Sequence, residues 1–148
     1  YLKDGSIAYQ GAGVREQVFA PEVMADATYA MTQVVERGSG KKWVKPLNRP
    51  IAGKTGTSSF NKSAWFVGYT PQIATAVAFY QPTADGLGED SISEFGGVSQ
   101  ITGGTWPSKL WAAYMEPVFE NVPKYQEVVD FPERSNVNKK KATSGWSG

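Results

Sequence analysis

An ammonium, three hydroxyls and two glycines fall within eight positions of this chain, in Ile51-Ala52-Gly53-Lys54-Thr55-Gly56-Thr57-Ser58. Gly53-Lys54-Thr55 has the form of the end of a phosphate-binding loop, in which glycine amides, a lysine and a threonine hydroxyl cradle a nucleotide. That chemistry needs another glycine five residues before Gly53 and a helix straight after the threonine, with its N-terminus facing the phosphate. The required position is Asn48, Pro50 falls inside the would-be loop, and Trp65-Phe66-Val67-Gly68-Tyr69 continues as strand. The nucleotide reading fails on both counts, and Lys54 belongs on a strand.

A lysine on a strand supports different chemistry. Side chains alternate faces, so Lys54 points one way and Thr55 and Thr57 the other. Gly56 carries no side chain, which leaves a point where an extended peptide can lie alongside the backbone and exchange main-chain hydrogen bonds. Lys54, Thr55, Gly56 and Thr57, with Ser58 following, are therefore candidate residues for receiving a peptide carboxylate. The same letters also describe an exposed lysine beside a close backbone approach, and the residues alone leave both readings open.

The elements that must position this stretch are legible to either side. Residues 51–58, 64–70 and 73–80 read as three strands: Trp65, Val67 and Tyr69 alternate against Phe66 and Gly68, and Ile73, Thr75, Val77 and Phe79 alternate against a run of alanines. Their short links permit only antiparallel neighbours, because parallel strands need a long crossover. Upstream, Pro21 suits a helix's first turn, Glu22 and Asp26 lie near its positive end, Val23, Ala27, Ala30 and Val34 recur at helical spacing, Arg37 falls in the last turn and Gly38 stops it. The Gly/Lys/Pro segment 39–48 reads as a solvated connection. Residues 1–19, with Asp4-Gly5 and Gly11-Ala12-Gly13, predict a hairpin with Val14 and Val18 as strand residues. After a long Gly/Asp/Glu-rich loop, Trp106-Pro107 opens a second helix with Leu110, Trp111, Tyr114, Met115, Val118 and Phe119 on one side, interrupted near Pro117. That aromatic stripe reads as packing against the sheet, as do Trp65 and Phe66. The expected fold class is α/β of the α+β type, an antiparallel sheet with helices packed on it. Residues 1–130 form the ordered part, and 131–148, which include Lys139, Lys140 and Lys141 among Ser, Gly and Thr, form a basic, flexible tail.

Composition excludes several function classes. The 148 residues carry a net charge of +1, so no global field steers nucleic acid, and no nucleic-acid partner is expected. Neither cysteine nor histidine is present, which removes thiolate nucleophiles, Cys/His metal sites and any Ser-His-Asp triad. No metal or organic cofactor is implied. No segment approaches the roughly 18 apolar residues that span a bilayer. The first residue is Tyr1, and the chain is expected to be a piece of a longer polypeptide.

Lys54-Thr55-Gly56-Thr57 matches the Lys-Thr-Gly element of penicillin-binding proteins and serine β-lactamases. With its surroundings, "RPIAGKTGTS", "AWFVGYTP", "ITGGTWPSKLWAAYM" and the upstream "APEVMADATYAMTQVVERGSG", the chain resembles the C-terminal portion of the transpeptidase domain of class A, bifunctional penicillin-binding proteins, from about Val18 to Met115. The resemblance implies that Thr57 offers its backbone N–H as half of an oxyanion hole, that the Thr55 and Thr57 hydroxyls hold the carboxylate of a terminal D-alanine or of a β-lactam, and that Lys54 supplies positive potential and assists proton transfer to the leaving group. It also implies as partners the peptidoglycan stem peptide ending in D-Ala-D-Ala, β-lactam antibiotics and the N-terminal remainder of the same domain, at the extracytoplasmic face of a bacterial membrane.

The family's Ser-x-x-Lys and Ser-x-Asn elements are missing. Ser59-Phe60-Asn61-Lys62 fits both by letter and Ser39-Gly40-Lys41-Lys42 fits the first, but Ser59 follows the lysine strand directly and Ser39 lies in a loop, whereas the family's nucleophile opens a helix across a cleft. The nucleophilic serine is expected outside this chain. Related hydrolases (a D,D-carboxypeptidase or a β-lactamase) and a non-catalytic penicillin or peptidoglycan sensor are the alternatives.

Overall fold

The computed structural model describes residues 1–11, 13 and 16–134. Its centre is a four-stranded antiparallel sheet in the order β1-β2-β3-β4, comprising β1 (Ala52–Thr57), β2 (Ser63–Tyr69), β3 (Ala74–Pro82) and β4 (Glu89–Asp90). Helix α1 (Pro21–Glu36) precedes the sheet and packs on β1; α2 (Trp106–Asn121) follows it, packs on β2 and β3, and leads into the short α3 (Pro123–Gln126). Strands with helices on them, antiparallel throughout, make this an α+β fold of the expected class.

One face of the sheet carries the core. Along β2, Ala64, Phe66 and Gly68 are buried while Trp65 and Val67 are exposed, so the alternation in the sequence marks one packed and one open face. Phe66 and Trp111 of α2 meet edge to face, with centroids 5.4 Å apart, and Val35, Val44, Ile51, Met115 and Phe119 surround them. The Trp111 indole N–H donates to the Thr75 carbonyl at 2.9 Å, which satisfies the one polar atom of a fully buried ring. Gly53 and Gly68 face each other across β1 and β2, and both are required to be bare. A Cβ on Gly53 would stand 2.8 Å from the Phe66 ring, and one on Gly68 would stand 2.8 Å from both the Phe66 and the Trp111 rings.

Several expectations need correction. No strand forms among the described residues of 1–19: the Asp4-Gly5 signal makes a single turn, with Leu2 N–H on Ser6 O at 2.8 Å, Gly5 at φ 84° and the Asp4 carboxylate taking the Ser6 amide and hydroxyl, and Val18 is exposed. Val14 lies outside the described residues. Helix α1 is where Pro21 and Gly38 put it, but it buries a different stripe. Ala25 and Val35 are the buried residues, Thr28 and Met31 reach the Tyr69 hydroxyl at 3.2 and 3.9 Å, and Val23, Ala27 and Ala30 are exposed. Helix α2 runs through Pro117 without a break, because Pro117 and Ala113, whose carbonyl loses its donor, both lie on the exposed side where water can replace the bond. Its buried stripe is Trp111, Met115 and Phe119 with Val118 partly covered, whereas Leu110 and Tyr114 are exposed. The loop after β3 holds β4 and a Phe95–Val98 bridge. At the start of the predicted tail, Phe131 packs edge-on against Tyr69, centroids 5.5 Å apart, and Arg134 pairs with Asp26 at 2.9 Å; the rest of that tail, including its three lysines, lies outside the described residues.

Candidate peptide-binding edge

Strand β1 is the terminal strand of the sheet, hydrogen-bonded to β2 on one side only. In an antiparallel pair, residues alternate between those that aim N–H and C=O at the partner and those that aim them away. Two observations fix the phase here. The Ser58 amide donates to the Ser63 carbonyl at 2.9 Å, so Ser58 points at β2, and with it Gly56 and Lys54. The Lys54 ammonium folds back to donate to the Thr55 carbonyl at 2.7 Å, which it can do because that carbonyl points away from β2. The N–H and C=O of Thr55 and Thr57 are therefore presented on the open edge, and no strand pairs with them among the described residues.

The side chains follow the alternation expected from the sequence. Lys54 and Gly56 lie on the exposed face with their register partners Val67 and Trp65; Thr55, half-buried, and Thr57, exposed, lie on the other. The ammonium nonetheless reaches the edge through its own flexible stem, so Lys54, Thr55 and Thr57 converge there. Ser58 is placed differently. Its hydroxyl accepts the Ser63 amide at 2.8 Å and closes the connection between β1 and β2, a link that carries Phe60 at φ 60° and Asn61 at φ 53°.

Two further residues join the site from distant segments. Ser39, in the turn after α1, places its hydroxyl 2.7 Å from that of Thr55. Gly103 donates its amide to the Thr57 hydroxyl oxygen at 3.1 Å. Because Thr57 Oγ1 accepts there, its own proton is free to donate elsewhere. Gly103 presses directly on the strand: a Cβ there would lie 2.3 Å from Trp65 O and 2.9 Å from both Gly56 N and Gly56 O. Gly56 itself has room, its nearest obstacle being Trp65 Cβ at 3.7 Å. The glycine that close packing demands is thus Gly103, in the Thr102-Gly103-Gly104-Thr105 turn before α2, while the bareness of Gly56 faces outward. Neither role is marked by residue type: in the sequence Ser39 fits only a Ser-x-x-Lys spacing within a loop and Gly103 belongs to a Gly-rich loop, the one local signal being the paired glycine immediately before a helix start.

Ser59 lies in the tight turn directly after β1, and Lys42, which would serve Ser39, holds its ammonium 4.7 Å from the Trp43 ring centroid.

Residues 8–94 match the penicillin binding protein transpeptidase domain. The chain belongs to that family. The family match begins ten residues before Val18 and stops before α2, so it covers the α1 helix, the lysine strand and the rest of the sheet, while the likeness of α2 rests on the relatives. Penicillin-binding protein 1A of Neisseria meningitidis serogroup A is 34% identical over 120 residues, covering 78% of this chain and 14% of that protein. The proteins of the same name in Escherichia coli and Pseudomonas aeruginosa are 36% identical over 98 residues and 32% identical over 134 residues, covering 60% and 82% of this chain. The chain spans about a seventh of the length of these relatives, between 11% and 15%. The recognition drawn from Lys54-Thr55-Gly56-Thr57 and its flanks, a portion of a class A penicillin-binding transpeptidase domain, therefore stands.

Proposed function

We propose that this chain supplies the substrate-binding edge of a D,D-transpeptidase that cross-links peptidoglycan stem peptides. The reading rests on one observation: the backbone of Thr55 and Thr57 faces the open side of a terminal strand, beside an ammonium and two hydroxyls. A peptide ending in D-Ala-D-Ala adds to that edge by main-chain hydrogen bonding, and its terminal carboxylate is held by the Thr55 and Thr57 hydroxyls in the field of Lys54. A serine outside this chain attacks the penultimate carbonyl. The Thr57 N–H then stabilises the negative charge on the carbonyl oxygen, Lys54 assists proton transfer to the departing D-alanine, and the amine of a second stem takes the acyl group. A β-lactam carries the same carboxylate and a strained amide, so it acylates the same serine and is released slowly.

The hydroxyl partners fit this role. Gly103 fixes the lone pair of Thr57 and leaves its proton to the ligand, and Ser39 holds Thr55. The working enzyme sits at the outer face of a bacterial membrane, anchored by a segment outside this chain, with a glycosyltransferase domain in the same polypeptide; among the described residues no helix is long and apolar enough to cross a membrane.

The test is labelling of the full-length protein with a fluorescent penicillin. Thr57→Pro deletes the outward N–H without removing a ladder bond, a substitution that edge strands tolerate. Thr57→Ala, which removes the same hydroxyl and keeps the N–H, is the reference, and against it the acylation rate of Thr57→Pro is expected to fall by about 10²–10³, the usual effect of losing one oxyanion donor. Acylation of Thr57→Pro at the wild-type rate would remove Thr57 from this role. Release of D-alanine with no transfer to an added amine acceptor would assign the chain to a hydrolase instead.

A further inference from the structure

Beside the edge, where α2 begins, lies a small cavity of about 130 Å³ lined by Lys42, Trp43, Gly104, Trp106 and Lys109 among others. Lys109 is half-buried with its ammonium held between two indoles, 4.4 Å from the Trp106 centroid and 5.0 Å from that of Trp43. The Lys42 ammonium lies 4.7 Å from the same Trp43 ring. Two positive charges thus share one ring and stand within about 10 Å of each other, comparable with the physiological screening length of ~8 Å. The ion pairs among the described residues, Lys45 with Glu36 and Arg134 with Asp26, involve neither lysine. Ring faces attract an ammonium but do not neutralise it, so exposed Lys42 and half-buried Lys109 both keep their charge.

The cavity is built and not incidental. Phe95 stacks on Trp106 with centroids 5.5 Å apart, and Trp106 donates its indole N–H to the Phe95 carbonyl at 3.2 Å. Gly96, at φ 58°, must be bare because a Cβ would lie 2.3 Å from the Trp106 ring. The cavity also adjoins the peptide edge. Gly104 follows Gly103, which bonds Thr57, and a Cβ on Gly104 would touch the carbonyl of Ser39, whose hydroxyl meets Thr55. The cavity has room for a short side chain. Apolar ring walls beneath two ammoniums suit a carboxylate on a short methylene stem.

Building on the function proposed above, we propose that this cavity is a second subsite, which takes an acidic side chain of the peptide whose C-terminal carboxylate occupies Thr55 and Thr57. Lys42 and Lys109 pair with that carboxylate and the Trp43 and Trp106 rings cover its methylenes. The subsite selects acidic stems over neutral ones and contributes to binding more than to the chemical step.

The experiment compares acetyl-Ala-Glu-Lys-D-Ala-D-Ala with its Gln counterpart on the full-length protein, measuring D-alanine release. The Glu peptide is expected to show about tenfold higher kcat/KM, expressed in KM, as for a charge-assisted contact. In the Lys42→Gln/Lys109→Gln double variant the preference is expected to fall below about twofold, while the Gln peptide's kinetics and penicillin acylation stay at wild-type values. If that double variant fails to acylate penicillin, Lys42→Gln/Lys109→Met, which keeps an apolar stem against both rings, is read the same way. No preference in the wild type, or a preference that survives loss of the ammoniums, overturns the subsite. Absence of both D-alanine release and penicillin adduct in the wild type would instead overturn the proposed function.

Discussion

Ala52 and Gly53, at the start of β1, are sealed against the core, whereas Lys54, Gly56 and Thr57, further along the same strand, are exposed. The first half has no chemistry to offer and almost no freedom: Gly53 sits opposite Gly68, and the two bare positions make the slot that Phe66 and Trp111 fill. The second half has freedom on its outward face and is held from behind by Gly103 and Ser39. The difference shows how a flat sheet edge can be both rigid and available. Packing at one end fixes register, and a one-residue slip would turn Thr57 N–H back into the sheet. At the other end the outward peptide groups face no second strand among the described residues, the Thr55 carbonyl taking only the Lys54 ammonium, and have little room to rearrange.

Substitutions in the two halves are expected to separate stability from acylation. The largest stability effect belongs to the slot. Trp111→Ala removes a fully buried ring and its hydrogen bond to Thr75, and is expected to destabilise the domain by about 3–5 kcal/mol in thermal unfolding, with the remaining folded protein still acylated by penicillin. Gly53→Ala overfills the slot and is expected to cost about 1–3 kcal/mol, again with acylation retained once the protein is folded. Gly56→Ala is expected to change stability least, within about 0.5 kcal/mol, because its Cβ would meet only Trp65 at an ordinary contact distance. If Gly56→Ala slows acylation while leaving the melting temperature alone, the bare position serves the ligand or the catalytic partner. If it unfolds the domain, the division of β1 into anchored and available halves is wrong.

How far this could be read from residues alone follows the range of the interactions involved. The strands were legible because alternation and short links are local, and Lys54 could be placed on β1 because Pro50 and the strand after it ruled out a phosphate loop. Helix α1 was legible from Pro21 and Gly38, but its buried face was not. Val23, Ala27, Ala30 and Val34 make an apolar stripe as regular as the one used, and Thr28, which reaches Tyr69, hides the true stripe behind a polar side chain. The break at Pro117 was over-read, since a proline on the solvent side of a helix leaves its orphaned carbonyl to water. The Asp4-Gly5 turn is real, yet a turn signal has no means of reporting that strands fail to pair beyond it. Within the site, Lys54, Thr55, Gly56 and Thr57 announced themselves by type and spacing. Ser39 and Gly103 did not, because their contacts to β1 span 16 and 46 residues and are created only when α1 and α2 dock on the sheet.

The open presentation of the Thr57 amide can be measured directly by residue-resolved hydrogen exchange on the full-length protein, before and after acylation by penicillin. Gly56, bonded across to β2, is expected to exchange slowly in both states; Thr57 is expected to exchange fast in the free protein and to become protected once the acyl carbonyl oxygen lies against it. A Thr57 amide already protected in the free protein, or one that still exchanges fast in the acylated form, would contradict the assignment of this edge.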